Sequence, residues 1–432
     1  MKREMLIKIE EDNTAIALTA DGQLTEIYLP RKEEEQLLGN IYLGQVENVL
    51  PGMQAAFVDI GLTKNCFLYV EDAYLPPTVY GGKPAYDTQR TTEKQITDLV
   101  RKNQQIIVQI FKEPTGTKGA RVTMQPSLPG RYLVLLPCGD YIAVSRRIEN
   151  EEERERLKLL VKEALPGNMG AIIRTVAQDA TAEIIAADIK LLTKEWRRIQ
   201  GLAAKSAAPA LLHRDLETLK RVIRDTNTND LDRIVVNSQD TADQVADVIA
   251  LIAPSLHQDI MISDATDLFT AYDINTQIEK ALRRKVWLKS GGYIVFDQTE
   301  ALNAIDVNTG KYVGECNLHD TVLKTNLEAV YEIAHQLRLR NLGGIIIIDF
   351  IDMEHPEDKE LLLNTLNEEL KKDRIRVTIM GMTQLGLVEL TRKKVGQELS
   401  AVVEQECSHC GGKGRVLLSE FQHKVIDKHP QM

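Results

Sequence analysis

Two runs of this sequence bring acids to the ends of strand-like segments, and their chemistry sets the first question. In "GGIIIIDFIDM", Gly343 to Met353, four isoleucines lead into Asp349, with Asp352 close behind. Consecutive β-branched residues between glycines predict a strand buried on both faces. In "ALNAIDVNTG" the alternation sets Ile305 and Val307 on one face, and Ala304, Asp306 and Asn308 on the other. If the two strands are neighbours, Asp306 and Asp349 converge, and close carboxylates repel unless a cation sits between them. Few, hard oxygen ligands suit Mg²⁺, which keeps most of its waters and also contacts phosphate. Such an ion turns water into a nucleophile and shields charge building on phosphorus, with Asn308 in reach of the scissile phosphate. Ligands do gather at the carboxyl ends of strands. Acids that simply begin a solvated loop account for the same residues, so both readings stand at this point.

A second cluster is aromatic. "QAAFVDIG" and "CFLYV" put Ala56, Val58, Ile60, Leu68 and Val70 on one face of short strands, and Phe57, Phe67 and Tyr69 on the other. On an OB-type barrel such a platform holds single-stranded nucleic acid, each base stacking for about 1 to 3 kcal/mol. Lys112, ending "QQIIVQIFKE", would add a phosphate contact. The same rings would also serve as a second core against another domain.

The third cluster is "CSHCGGKG", a Cys-x-x-Cys turn whose glycines let backbone N–H groups approach the sulfurs, as in a zinc knuckle. Cys407, Cys410, His423 and His429 have the spacing of a two-Cys, two-His finger. Gly414 and Glu420 stand where that finger needs an aromatic and a leucine, so the match is set aside. Two chains each giving Cys407 and Cys410 to one shared Zn²⁺ complete the site better and predict a homodimer or larger assembly. A reduced pair without metal is the simpler alternative.

The elements that must position these residues fall into blocks. Residues 1 to 39 read as a few strands ending in the charged turn "RKEEEQ". The stretch from Gly39 to Ala73 reads as short strands of a small β-barrel, with turns at Pro51-Gly52 and Gly61 to Asn65 and a mobile loop over residues 75 to 100. Beyond the last barrel strand, "QQIIVQIFKE", come the strand "YLVLLP", a helix around Glu151 to Leu165, the strand "AIIRTV" and a helix near Ala180 to Gln200. "GLAAKSAAPALL" reads as a hinge or linker. Helices alternate with strands (RIVVNS, DIMIS) from 213 to 283, as in an α/β layer. "GGYIVFD", "ALNAIDVN", a helix and "GGIIIIDF" then imply a sheet with helical cover. That helix is predicted to begin at a capping box, Thr325 with Glu328, to carry Leu327, Tyr331, Ala334 and Leu337 on one apolar stripe, and to stop at Asn341-Leu-Gly-Gly.

Bulk properties narrow the class. A chain of 432 residues forms about two to four domains. No apolar run reaches the ~18 residues of a membrane span, and five cysteines without a disulfide pattern suit a reducing cytoplasm. The net charge of -10 argues against nucleic acid until its distribution is examined. Arg101 to Arg147 holds eight Lys and Arg against two acids, and Lys371 to Lys394 seven against two. Two basic surfaces on an acidic body, or solvated charge on loops, fit that segregation.

Taken together, the barrel, "GTKGARVT", "SRRIE", "IIRT", "ALNAIDVNTG", "LRLRNLGGIIIIDFIDM" and the closing Cys-x-x-Cys resemble the RNase E/G family of bacterial endoribonucleases, in order and from about residue 1 to 415. The resemblance implies an α/β multidomain fold: an RNase H-like domain (1–39 and 213–283) with an inserted S1-like OB-fold RNA-binding domain (40–125) and a 5′ sensor (126–212). A DNase I-like catalytic domain (284–400), a zinc link (401–415) and a tail (416–432) follow. It implies that Asp306 and Asp349 bind catalytic Mg²⁺ and that Asn308 assists; Asp352 is retained without an assigned role. It implies a 5′-monophosphate pocket of Arg174 and Thr175, lined by Gly130 and Val134 and supported by Arg146, a sensible set because a guanidinium fork and a hydroxyl read a terminal phosphate well. Taken from the sequence alone, Arg174 fits an ordinary ion pair too. Phe57, Phe67 and Lys112 match RNA-contacting positions, and Arg376 matches a basic residue near the family's active site.

Two departures qualify the resemblance. Ser408 replaces the proline usual after the first cysteine of the link, which leaves both sulfurs. The sequence ends soon after Cys410, so the small domain of longer members is not expected, and a zinc-linked homodimer is expected in place of a tetramer. A degradosome scaffold role is not expected either. The implied function is a cytoplasmic, Mg²⁺-dependent endoribonuclease that cuts single-stranded A/U-rich RNA, such as mRNA and rRNA precursors, helped by a 5′-monophosphate. The competing expectations are a non-catalytic RNA-binding or ribosome-assembly factor, against which the converging acids argue, and a nuclease acting on DNA.

Overall fold

The structure is a computed structural model that describes all residues except 1, 11–12, 30–36, 74–94, 115–117, 168, 216–217, 227–230, 253–258, 311–317, 406, 413 and 417–432. The "RKEEEQ" turn, most of the 75–100 loop, His423 and His429 therefore lie outside the described residues. The chain divides into two compact units, Met1–Ile16 with Tyr28–Leu268, and Ala17–Ile27 with Phe269–Met432.

The first unit contains a closed five-strand barrel. Its strands Ile41–Leu50, Ala55–Asp59, Cys66–Tyr69, Arg121–Thr123 and Gln105–Lys112 pair in that order, and the last returns to the first. The barrel thus closes through Arg121–Thr123 and not, as the sequence predicts, with Gln105–Lys112 as its final strand. Three residues are too short to show a period. Alternation supplies the core: Ala56, Val58, Ile60 and Leu68 are buried inside with Val108, Ile110 and Val122. The expected linker is also structured. Its first part ends the Ala182–Ala203 helix, and Ala210–His213 adds a strand beside Ile41–Leu43.

Beyond the barrel, Leu128–Pro129, Leu133–Leu136, Gly170–Ile173 and Ile142–Val144 form a second sheet covered by helices Glu151–Ala164 and Ala182–Ala203. Asn150 caps the first helix, its Oδ1 accepting from the backbone N–H groups of Glu152 and Glu153. Elsewhere in this unit Arg3–Glu10 runs parallel to Arg233–Val236, which runs parallel to Ile260–Ile262.

The second unit is built on a six-strand sheet in the order Lys285–Trp287, Tyr293–Gln298, Leu302–Asn308, Gly344–Asp349, Val388–Arg392, Val377–Met382. Only the central pair, Leu302–Asn308 with Gly344–Asp349, is parallel. Helix Leu318–Leu339 makes the crossover between them and helix Pro356–Lys371 packs beside it. Ile294, Phe296, Ile305, Val307, Ile346 and Ile348 meet Val330, Ile333, Leu337, Leu362 and Leu366 in one core.

Three expectations for this unit change. The Gly344–Asp349 strand is not buried on both faces: Ile346 and Ile348 are buried, but Ile345 is 51% exposed, because the helical cover lies on one side. The crossover helix begins near Leu318 and not at Thr325. Thr325 is fully buried within it and its hydroxyl donates to the Thr321 carbonyl one turn back, while the Glu328 carboxylate accepts from the N–H groups of Lys289 and Ser290. Tyr331 leaves the apolar stripe and is exposed. The helix stop stands where the sequence puts it, with Asn341 at φ 52° and the Leu342 N–H donating to the Leu337 carbonyl.

Candidate active site

Asp306 and Asp349 are register partners at the carboxyl ends of the two parallel strands. Alternation turns Ile305, Val307, Ile346 and Ile348 into the core, so both acids project from the uncovered face, where both are exposed. Asn308, two residues on, donates from Nδ2 to Asp306 Oδ2 at 2.7 Å, which fixes that carboxylate. Partial burial, then the charges of Asp306 and Asp352, raise the Asp349 pKa above the usual carboxylate range. Asp352 is thus a third acid acting on the pair.

The loop carrying Asp352 is held from beneath. Asn326, fully buried on the crossover helix, donates to the Ile351 carbonyl at 2.8 Å and accepts from the Ile351 N–H at 3.1 Å. This support was missed in the sequence, where its only trace is an amide inside an apolar helical stripe. Like charges gathered with no cationic partner among the described residues, presenting hard oxygens, fit a divalent cation such as Mg²⁺ held by Asp306 and Asp349. Among the described residues no group of three or more His, Cys, Asp or Glu is arranged to hold a metal. Two carboxylates suffice for an ion that retains waters.

Arg376 is exposed but is not brought to the pair. It precedes Val377, whose register runs through Arg392 to Gly344, the strand end opposite Asp349. Five residue steps, at ~3.3 Å each, separate those ends.

In the first unit the structure gathers the other expected residues. Gly130 is buried, and a Cβ there would lie 2.6 Å from Asp188 Oδ2, so any larger residue would have to displace that carboxylate. Asp188 accepts from the backbone N–H groups of Tyr132 and Leu133 at 2.9 and 3.3 Å. Val134 lies opposite Pro129 and Ile172 in the neighbouring strands. The Arg174 backbone N–H donates to the Tyr132 carbonyl, and its Nη1 donates to the Gly130 carbonyl and to Asp225 Oδ1, each at 2.8 Å. The Thr175 hydroxyl is 2.9 Å from that of Ser145, next to exposed Arg146. Burial pushes the Asp225 carboxyl up, but Arg224 and Arg174 together bring it below its ordinary range. Arg174 therefore does sit in an ion pair. Both bonds use one nitrogen of the fork, and a guanidinium has further donors.

On the barrel, Phe57 and Phe67 are register partners on the outer face, half-buried, with rings 6.0 Å apart in an edge-on arrangement. Lys112 is exposed and opposite Arg121, whose guanidinium lies over Tyr69 and Phe111 and pairs with Asp72 at 2.7 Å. Arg121 was not singled out in the sequence because its aromatic neighbours come from other strands.

Cys407 is exposed and Cys410 half-buried, on a turn closed by the Gly411 N–H bonding to the Cys407 carbonyl. The Gly414 N–H donates to Cys410 Sγ at 3.3 Å. Backbone N–H groups of Cys410 and His409, then the Cys410 side chain, pull the Cys407 thiol below its ordinary pKa. A Cys407 sulfur met by N–H donors favours thiolate, the form able to bind zinc, and the two cysteines could supply two ligands of a four-coordinate ion.

Comparison with known proteins supplies the deciding observation. A model described as the Ribonuclease E/G family matches residues 127–395. The chain belongs to the ribonuclease E/G family. It is 42% identical to "Ribonuclease G" of Salmonella typhimurium (strain SL1344) over 99% of this chain and 88% of that protein. It is 41% identical to "Ribonuclease G" of Escherichia coli (strain K12) over the same shares. "Ribonuclease E" of Nostoc sp. (strain PCC 7120) is 41% identical over 95% of this chain and 59% of its own length. Among the described residues no helix is long and apolar enough to cross a membrane.

Proposed function

We propose that this ribonuclease E/G family endoribonuclease cuts single-stranded, A/U-rich RNA in RNA processing and decay, with Mg²⁺ at Asp306 and Asp349, leaving 5′-phosphate and 3′-hydroxyl ends. The observation that carries the catalytic reading is the register of the two acids on an open sheet face. Mg²⁺, when bound, would supply a nucleophilic water and shield charge on the phosphorus. Asp306 and Asp349 would bind it, and the short bond from Asn308 keeps Asp306 aimed while leaving the second amide hydrogen for a phosphate oxygen. Both acids and Ile345 are exposed on that face, which suits an extended, unstructured substrate.

The same reading takes Arg174, Thr175, Gly130, Val134 and Arg146 as the sensor of a 5′-monophosphate, and Phe57, Phe67, Lys112 and Arg376 as RNA contacts. Its domains are an RNase H-like part, an S1-like barrel, a 5′ sensor, a DNase I-like catalytic part and a zinc link. Cys407 and Cys410 of two chains would share Zn²⁺ in a cytoplasmic homodimer. The test is cleavage of one A/U-rich oligonucleotide bearing a 5′-monophosphate or a 5′-hydroxyl, with Mg²⁺, by the wild type and by Asp349→Asn. Faster cutting of the monophosphate form, lost in the variant, is expected. Binding without cutting by the wild type would move the protein to the RNA-binding class.

A further inference from the structure

The face that carries the acid pair also carries an aromatic cluster that the reading above does not use. Trp287 is the register partner of Tyr293, and Tyr293 of Asn308. Cross-strand partners point to the same side of a sheet, so these three form one row across the uncovered face. The next row is Lys285, Val295, Asp306 and Asp349. Val286, Ile294 and Val307, between them in sequence, face the helical core. Placement on the acid side thus follows from register and from burial independently.

The cluster is built like a stacking site. The Trp287 and Tyr293 rings meet edge-on at 5.4 Å, and the Lys285 ammonium lies 4.1 Å from the first ring centre and 3.3 Å from the second. Trp287 is nevertheless 60% exposed. An exposed tryptophan held by a tyrosine and a lysine offers ring surface beside a fixed cation, which matches a nucleobase followed by its phosphate. The floor is kept low: a Cβ on Gly310, the residue two beyond Asn308, would lie 2.5 Å from the Gly291 carbonyl and 3.3 Å from Tyr293 Cδ1.

We infer that Trp287, braced by Tyr293 and Lys285, stacks one unpaired base of the RNA strand whose phosphodiester lies at Asp306 and Asp349. This deepens the assignment of the open face as the RNA-cutting surface and rests on it. Trp287 lies two strands from Asp306 and three from Asp349, one row over, a separation of about 12 to 16 Å at ~4.8 Å per strand and ~3.4 Å per residue, so the base is about two nucleotides from the bond that breaks. The site is thus a positioning subsite, separate from the barrel platform of Phe57 and Phe67.

Two tryptophans make a direct test available, because Trp196 is buried and Trp287 is exposed. In Asp349→Asn, which keeps RNA intact, a short single-stranded oligoribonucleotide is expected to quench the exposed tryptophan, and Trp287→Phe in that background to lose the quench. An oligonucleotide with an abasic residue at one position near the cut should fail to quench. In cleavage by the otherwise wild-type chain, Trp287→Ala should lower kcat/KM roughly five- to a hundredfold, Trp287→Phe much less, and the abasic substitution should add nothing to Trp287→Ala. RNA bound without quenching, or equal quenching by every abasic oligonucleotide, would overturn the subsite. Quenching with no cutting by the wild type would instead overturn the catalytic reading and leave the subsite standing.

Discussion

Replacing Asp349 by Asn should make the protein more stable while destroying its activity. The two acids are lateral neighbours in a parallel pair, at a strand spacing of ~4.8 Å. Two unit charges about 5 Å apart repel by about 0.8 kcal/mol in water and about 3 kcal/mol at an effective dielectric of 20. Asp349 is exposed, so the lower part of that range applies, about 1 kcal/mol. For a unit of this size the gain corresponds to about 2 to 4 °C in Tm. The pH dependence has a definite sign. Burial and the Asp306 and Asp352 charges raise the folded pKa of Asp349, so its penalty is fully present at neutral pH and disappears as pH falls through that raised pKa. The gain of Asp349→Asn should vanish over the same interval. Added Mg²⁺ should raise the Tm of the wild type more than that of the variant, since only the intact pair offers two carboxylates. Differential scanning calorimetry with and without Mg²⁺ measures all three effects. A variant that loses stability at neutral pH, or that gains as much from Mg²⁺ as the wild type, would refute the reasoning.

Other expected outcomes follow from the same structure. Arg174→Ala should abolish the preference for a 5′-monophosphate and leave cleavage of the 5′-hydroxyl substrate within about twofold, read by paired rate measurements. The variant also releases Asp225, which Arg224 still pairs, so the fold should survive. Cys407→Ser, or removal of zinc by a chelator, should shift the sedimentation coefficient from dimer to monomer without unfolding the sheet core. Burial, then the charge of Arg338, depresses the His335 pKa from 6.5 to about 4. Its neutral form must therefore charge in order to unfold below pH ~6.5, and stability should fall as pH drops from there to about 4, by about 3 kcal/mol in total. His335→Leu should flatten that part of the urea-denaturation profile.

How much of this was legible in the sequence depends on the range of the interaction that decides it. The acid pair was legible because a period of two sets the face of Asp306 and Asn308, and a run of isoleucines sets the strand that ends at Asp349. The open face was not. A run of β-branched residues does not say how many sides are covered, and the exposure of Ile345 follows only from both helices lying on the other side. Thr325 with Glu328 has the form of a helix start, yet its acid serves the turn before Tyr293. Asp225 reaches Arg174 from 51 residues away, and Trp287 joins the acid face through two intervening strand pairings. No local pattern encodes such meetings.

Register is the quantity on which the pair depends, because a one-residue slip between the parallel strands would send Asp349 to the core face and Ile348 to solvent. Across the parallel pair the buried Asn303 amide donates to the Gly343 carbonyl at 3.2 Å, and the start of the Gly344–Asp349 strand is itself held from its other neighbour. Arg392 is the register partner of Gly344, and its buried guanidinium bonds Asp373 Oδ2 at 2.8 Å, Asn341 Oδ1 at 3.0 Å and the Leu342 carbonyl at 2.8 Å. Asp373 and Arg392 are both about 2% exposed in their side chains. A buried pair of this kind contributes little net stability over apolar residues of the same volume, since both charges lose their hydration. Its geometry nevertheless constrains how Gly344–Asp349 lies against Val388–Arg392, because three acceptors from two separate chain segments are met by one planar fork. The helix stop, the strand start and the edge of the sheet are thereby fixed together, and the strand then carries that alignment to Asp349.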